Sequence, residues 1–182
     1  PPVPAPPPPA WRAIGSDDVY RPVVVTGRYR PQADTYTQAA TALGGGFWVV
    51  TPLDTGRFTV LINRGFVPPA QRGKVPAPTG TVTVRGLLRL TEPEGGFLRS
   101  NDPAADRWHS RDVAAIAARR GLTGTAPYFI DAAATPGTTW PRGGLTVVTF
   151  RNSHLVYALT WFGLAALLAG MTWWVARREP RA

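Results

Sequence analysis

The sequence predicts a mainly β domain, antiparallel and sandwich- or barrel-like with one short helix, followed by a C-terminal transmembrane α-helix. Three observations carry this reading. Short runs rich in β-branched and aromatic residues recur between residues 20 and 151, separated by Gly, Pro, Asn and Asp. One segment, 112–120, shows helical apolar spacing. The stretch 152–176, NSHLVYALTWFGLAALLAGMTWWVA, contains no Asp, Glu, Lys or Arg, with Arg151 before it and Arg177 and Arg178 after it. At about 1.5 Å per residue, its roughly 22 apolar-weighted positions span about 33 Å, enough for a hydrocarbon core of about 30 Å.

The 182 residues suit one domain plus an anchor. The absence of cysteine excludes disulfides, zinc thiolate sites, iron–sulfur clusters and cysteine nucleophiles. The net charge of +9 comes from 19 Arg and one Lys, Lys74, against 11 acids. These cations are scattered, pairing only at Arg119-Arg120 and Arg177-Arg178, and no basic stripe with interleaved aromatics marks a nucleic-acid surface. The chain does not begin with Met and shows no signal-peptide pattern, so a segment before Pro1 is expected.

Residues 1–9, PPVPAPPPP, contain seven prolines. With φ fixed and donors removed, the segment should be extended polyproline II, either a semi-rigid spacer or a strip along the domain surface. Residues 1–19 are read as a connector, in which Trp11 and Ile14 begin contact with the domain. A strand follows over 20–30, YRPVVVTGRYR, with Gly27 marking a bulge. Residues 35–39 pair back after a turn at 31–34, and Gly44-Gly45-Gly46 is a flexible break. The runs 47–53 and 58–67, joined by Asp54-Thr55-Gly56, predict a hairpin. Residues 68–80, with four prolines and two glycines, form an exposed loop. Strand character resumes at 81–90, TVTVRGLLRL. The long loop 91–106 is a candidate contact surface. Helix 112–120 is capped by Asp112 or Ser110, turns Val113, Ile116 and Ala117 inward, and ends at Gly121. Two further strands, 127–131 and 144–151, lead into the anchor. The domain therefore covers 20–151, the helix 152–176 and a basic tail 177–182.

Catalytic motifs are missing. The two histidines, His109 and His154, form no nucleophile–base–orienter set, and no nucleophile elbow, P-loop or dinucleotide fingerprint occurs. His109 beside Ser110 and Asp112 is not a triad, and the chain is read as a non-enzyme. His154 stands at the mouth of the apolar helix, after Asn152 and Ser153 as capping residues. At about 100° per residue, His154, Tyr157, Ala158, Trp161, Ala165 and Thr172 share one face. The helix dipole favours the neutral imidazole that a metal requires, although Tyr157 and Trp161 also suit an ordinary aromatic belt. Gly163 and Gly170 on the other side permit close packing with a second membrane helix.

Seven stretches, taken together, resemble the Surfeit locus protein 1 family of cytochrome c oxidase assembly factors. They are YRPVVVTGRYR, GGFWVVTPL, LINRGFVP, TVRGLLRL, LRSNDPAADRW, APYFID and RNSHLVYALTWF. The resemblance implies a haem-copper oxidase biogenesis factor that binds haem a and aids its delivery to oxidase subunit I. His154 would be the axial ligand, and Tyr157 and Trp161 would be pocket residues. It also implies a bacterial inner-membrane protein whose β domain lies on the periplasmic side, with a first transmembrane helix before the Pro-rich connector. Implied partners are subunit I, a haem a synthase and membrane lipid. The excess of Arg at 177, 178 and 181 points the tail to the cytoplasm. Two departures from the family pattern stand out: Ser153 where a second asparagine is common, and His109 where an aromatic follows Trp108. The alternative is a haem-free structural partner that docks an oxidase subunit or haem synthase through its β domain and helix.

Overall fold

A computed structural model describes residues 1–96, 99–146 and 154–178. The chain divides into two units, Pro1–Thr146 and Val147–Ala182, and each is taken by itself.

The first unit is a closed five-stranded barrel with two extra strands. Its strands are β1 (Val3–Pro4), β2 (Pro22–Tyr29), β3 (Thr35–Thr41), β4 (Gly44–Asp54), β5 (Thr59–Val67), β6 (Thr81–Leu90) and β9 (Thr125–Ala132). The pairings β2–β6–β9–β5–β4 return to β2 through Arg28↔Asp54 and Tyr29↔Leu53, which closes the ring. Within the ring only β5–β9 is parallel. A tiny hairpin, β7 (Gly95–Gly96) with β8 (Arg99–Ser100), sits in the long loop. The mainly β expectation is met, and of the two architectures left open it is the barrel.

The β4–β5 hairpin forms as its sequence predicts, with Asp54 opposite Thr59 and the Asp54 carboxylate accepting from the Gly56 N–H at 2.8 Å. Three pairings differ from expectation. β3 pairs with β4, not back onto β2, and Gly44-Gly45-Gly46 lie in β4 opposite Ala39–Thr41. Gly27 is not a bulge, since β2 and β6 stay in register from Pro22 to Arg28. A Cβ on Gly27 would lie 2.4 Å from the Asp54 carbonyl oxygen, so glycine is there to let the seam close. The bulge falls at Val49/Val50, opposite Gly65 with φ of 130°. Residues 144–146 are not strand, and 147–151 lie outside the described residues.

The interior follows from strand alternation. Val23 and Val25, Val60 and Ile62, Val84 and Leu88, and Tyr128 and Ile130 fill the barrel with Leu53 and Ala126. The opposite faces of β5 and β9 turn Leu61 and Phe129 outward against α1 (Val113–Arg119), where Val50, Trp108, Val113 and Ile116 join them. This second core covers the outer side of β5, whose residues are buried from Thr59 to Val67 without a break. As expected, Asp112 caps α1, accepting from the Ala115 N–H at 3.1 Å, and Gly121 follows with φ of 63°.

The Pro-rich start lies along the barrel. β1 pairs in parallel with Val23 and Val24 of β2, on the edge that β4 leaves free. Ala5 and Pro6 are buried, the Tyr128 hydroxyl donates to the Pro6 carbonyl at 2.8 Å, and Trp11 donates to the same oxygen at 3.1 Å. Trp11 stacks edge-on against Phe58. The chain start therefore completes the barrel wall.

The second unit contains α2 (His154–Arg178). Its 25 residues measure about 37 Å. Among the described residues no helix is long and apolar enough to cross a membrane. In α2, three Trp, one Tyr, two Thr and two Gly dilute the Leu and Ala between residues 157 and 174. The expected helix is present, and its crossing of a membrane is not shown.

Candidate functional site

The face expected to carry a ligand lies on α2. His154 is its first helical residue, and the His154 side chain, Asn152 and Ser153 lie outside the described residues. Tyr157 and Trp161, one helical turn apart, are 68% and 65% exposed and free to meet a planar apolar partner. A Cβ on Gly163 or Gly170 would meet nothing within 4 Å. Thr172 is turned back on its own helix, donating to the Leu168 and Ala169 carbonyls. At the far end the Arg177 and Arg178 guanidiniums stack on Trp173 and Trp174, 4.0 Å and 3.7 Å from the ring centroids.

His109 is half-buried and held through its backbone, whose N–H donates to Asn101 at 2.8 Å. It borders an open groove with Gln38, Phe47 and Arg99. Ser110 is buried in a knot, donating to the Glu92 carbonyl at 2.6 Å and accepting from Asn101 at 2.9 Å. Its hydroxyl is thus committed to holding the loop against the strand end. Among the described residues no three His, Cys, Asp or Glu side chains converge to hold a metal.

A constellation that sequence reasoning missed forms around Asp131 on the outer face of β9. Its carboxylate accepts from Asn63 at 2.7 Å, Thr146 at 2.8 Å, Arg89 at 2.9 Å and Arg111 at 3.2 Å. Four donors occupy the four lone-pair positions of an ionised carboxylate, so Asp131 acts as a hub and not as a free base. Arg111 also grips Glu92 with two bonds, of 2.6 Å and 3.0 Å. Burial opposes ionisation of Glu92, but the hydrogen bonds and charge of Arg111, with the charge of Arg89, outweigh it and hold the carboxyl below its usual range. Both guanidiniums are sandwiched by aromatics: Arg89 against Tyr20 at 4.8 Å, and Arg111 between Phe129 at 4.7 Å and Trp48 at 5.8 Å. Two cations and two anions make the hub electrically balanced.

Most members of this hub come from the stretches quoted for the family resemblance, while Glu92, Arg111 and Thr146 do not. Tyr20, Trp48, Asn63, Arg89 and Asp131 each stand in a different one. Their presence was a readable signal, and their meeting was not, because the barrel joins strands far apart in sequence. A second knot nearby is built the same way. Asp106 accepts from Trp108 at 2.7 Å and Arg120 at 2.6 Å, and these partners overcome its burial and depress its pKa.

Comparison with known proteins agrees with the resemblance. A family model described as the SURF1 family matches residues 1–166. Proteins called Surfeit locus protein 1 are similar: the one from Homo sapiens is 39% identical, covering 81% of this chain and 56% of its own length. That from Rattus norvegicus is 39% identical (81% and 54%), and that from Xenopus tropicalis 35% identical (81% and 54%). The chain spans about half the length of these curated relatives.

Proposed function

The chain belongs to the SURF1 family, and on that premise we propose that it is a cytochrome c oxidase assembly factor that holds haem a and passes it to oxidase subunit I. The observation that carries this reading is α2, whose described apolar side chains between Leu155 and Trp174 are exposed on every side. A helix apolar all round needs a non-aqueous neighbour, either a bilayer or other helices. Its Trp and Tyr lower its mean hydropathy, yet they are the residues that belong at a membrane interface, and the Arg–Trp stacks at Trp173 and Trp174 suit that boundary. Val156, Val175 and Ala176 of the sequence extend the apolar stretch. In this proposal α2 lies in the bacterial inner membrane, the barrel is periplasmic and the C-terminus cytoplasmic.

The described residues fit a haem in one respect. Tyr157 and Trp161 expose two aromatic surfaces on the face that His154 opens. A bound haem would supply an iron that an imidazole can ligate. His154, as the first residue of α2, would ligate the iron, and Tyr157 and Trp161 would pack against the macrocycle. A carrier must release its cargo, so one ligand with aromatic packing suits transfer better than two ligands.

The test is pigment analysis of purified full-length protein coexpressed with the enzymes of haem a synthesis. The proposal expects haem a in the wild type and a marked loss in His154→Ala. Equal occupancy in both would remove His154 as the ligand.

The convergence of the family-like motifs on the barrel's Asp131 hub favours a second reading, a haem-free partner that docks subunit I or a haem a synthase through the barrel. Co-purification of subunit I with haem-free protein at undiminished affinity would support it over the first.

A further inference from the structure

Arg64 is the extra residue of the β5 bulge, between Asn63 opposite Val50 and Gly65 opposite Val49. Arg64 is 8% exposed, and it is the one buried arginine among the described residues. Its Nη2 donates to the Pro76 carbonyl at 2.5 Å, and its guanidinium carbon lies 5.6 Å from the Tyr29 ring centroid. Its Nη1 is buried and has no hydrogen-bond partner among the described residues. No carboxylate lies within ion-pair distance of it among the described residues, whereas Arg89, Arg111 and Arg120, all less buried, each hold one. Asp34, an acid whose carboxylate the Arg64 charge favours, is itself engaged by Thr51 at 2.6 Å, and burial pushes its carboxyl up toward the neutral form.

Burying a guanidinium without a counter-charge is costly. Arg64 lines a cavity of about 450 Å³ at the barrel end where β2, β5 and β9 finish and β6 begins. Tyr29, Val82, Val84 and Ala132, which border or belong to the barrel's interior core, line it with Arg64. Around the rim stand Arg85 and the hydroxyls of Thr83, Thr135 and Thr138, and every other lining residue is Pro, Ala or Val. No acid lines it. The opposite arrangement, a buried cation facing its own carboxylate, is what a purely structural arginine shows at the Asp131 hub.

We propose that this barrel mouth binds a small organic anion, a carboxylate or phosphate carried on an apolar body, with Arg64 as its counter-charge. The volume falls in the range of small-ligand sites, and barrel mouths are a common place for them. The apolar walls take the body of the ligand, Arg64 takes the head group, and the threonines and Arg85 at the rim add donors. The inference stands apart from the haem proposal, since it uses no residue of α2.

The test uses the full chain in lipid nanodiscs and isothermal titration with three probes of one shape: 1-naphthoate, 1-naphthyl phosphate and neutral 1-naphthamide. The expected result is that at least one anion binds about 10-fold or more tightly than the amide to the wild type. In Arg64→Met, checked for folding by circular dichroism, that preference shrinks to about 2-fold or less. The tighter anion tells a carboxylate ligand from a phosphate head group. Equal binding of anions and amide to the wild type, or no anion binding up to about 5 mM, overturns the proposal and needs no variant. Persistence of the preference in a folded Arg64→Met protein also overturns it. Loss of His154 should leave the anion preference unchanged, so failure here and failure of the haem reading are separable.

Discussion

Asp131→Ala is the perturbation that probes the barrel's hub most sharply. The substitution removes the acceptor of four side chains at once. Breaking a buried ion pair by deleting one partner costs about 3–5 kcal/mol. Here the lower end applies, because Arg111 keeps Glu92 at 2.6 Å and Arg89 keeps it at 3.6 Å, and the two guanidiniums retain 13% and 18% exposure. Asn63 also loses its acceptor, worth about 1 kcal/mol net. The sum is about 3–4 kcal/mol, a large part of a typical domain stability of about 5–15 kcal/mol. At roughly 2–4 °C per kcal/mol for a chain of this size, the melting midpoint should fall by about 6–16 °C. Urea unfolding of the purified chain, followed by tryptophan fluorescence, measures the free-energy loss, and a thermal scan the midpoint, with Trp48 beside the hub as a reporter. Asp131→Asn keeps an acceptor and loses the charge, so its loss should be about half as large. A change below about 0.5 kcal/mol in Asp131→Ala would refute the hub as a stabilising centre, because that is the range of ordinary surface substitutions.

Three further outcomes are expected. Gly27→Ala places a Cβ 2.4 Å from the Asp54 carbonyl at the barrel seam, which should cost at least about 1–3 kcal/mol, while Gly15→Ala, with nothing within 4 Å, should stay within about 0.5 kcal/mol in the same urea melt. Tyr128→Phe removes the buried bond to Pro6 and should cost about 1 kcal/mol; faster hydrogen exchange at the Ala5 N–H, which donates to Val24 at 2.9 Å, would report release of the N-terminal strip. Glu92 has a folded pKa below its ordinary value of 4.5, so the stability it contributes is fully present above that value and lost as pH falls through the folded one. Glu92→Gln should therefore flatten the acid limb of a stability-versus-pH curve below pH 4.5, and an unchanged acid limb would count against the Arg111–Glu92 pair as its source.

What the sequence makes legible is what is local. The 47–67 hairpin, the capped helix at Asp112 and the apolar face of Val113, Ile116 and Ala117 can all be read from neighbouring residues, because turn chemistry and periodicity act over a few positions. Barrel closure depends on Gly27 meeting Asp54, and the choice of β4 over β2 as partner for β3 depends on the whole ring, so neither has a local signature. Proline content says that residues 1–9 are extended, and only the structure shows them docked on β2 and Tyr128. The same limit hides the two arginine environments. Arg89 and Arg111 read as scattered cations until Asp131 gathers them, and Arg64 is distinguished by its burial and by the carboxylate it lacks. On α2 the reverse holds: composition and helical phase put Tyr157 and Trp161 on one face, and the structure adds that both stand exposed.

The proposal that the chain delivers haem a through His154 is tested most directly by the haem a content of oxidase subunit I in cells that lack the chain. Complementation with the wild type should restore the haem a absorbance of the purified oxidase. His154→Ala, produced at the same level and with the same barrel stability, should leave subunit I short of haem a. Full restoration by His154→Ala would contradict the account and move the function to the barrel's own contacts.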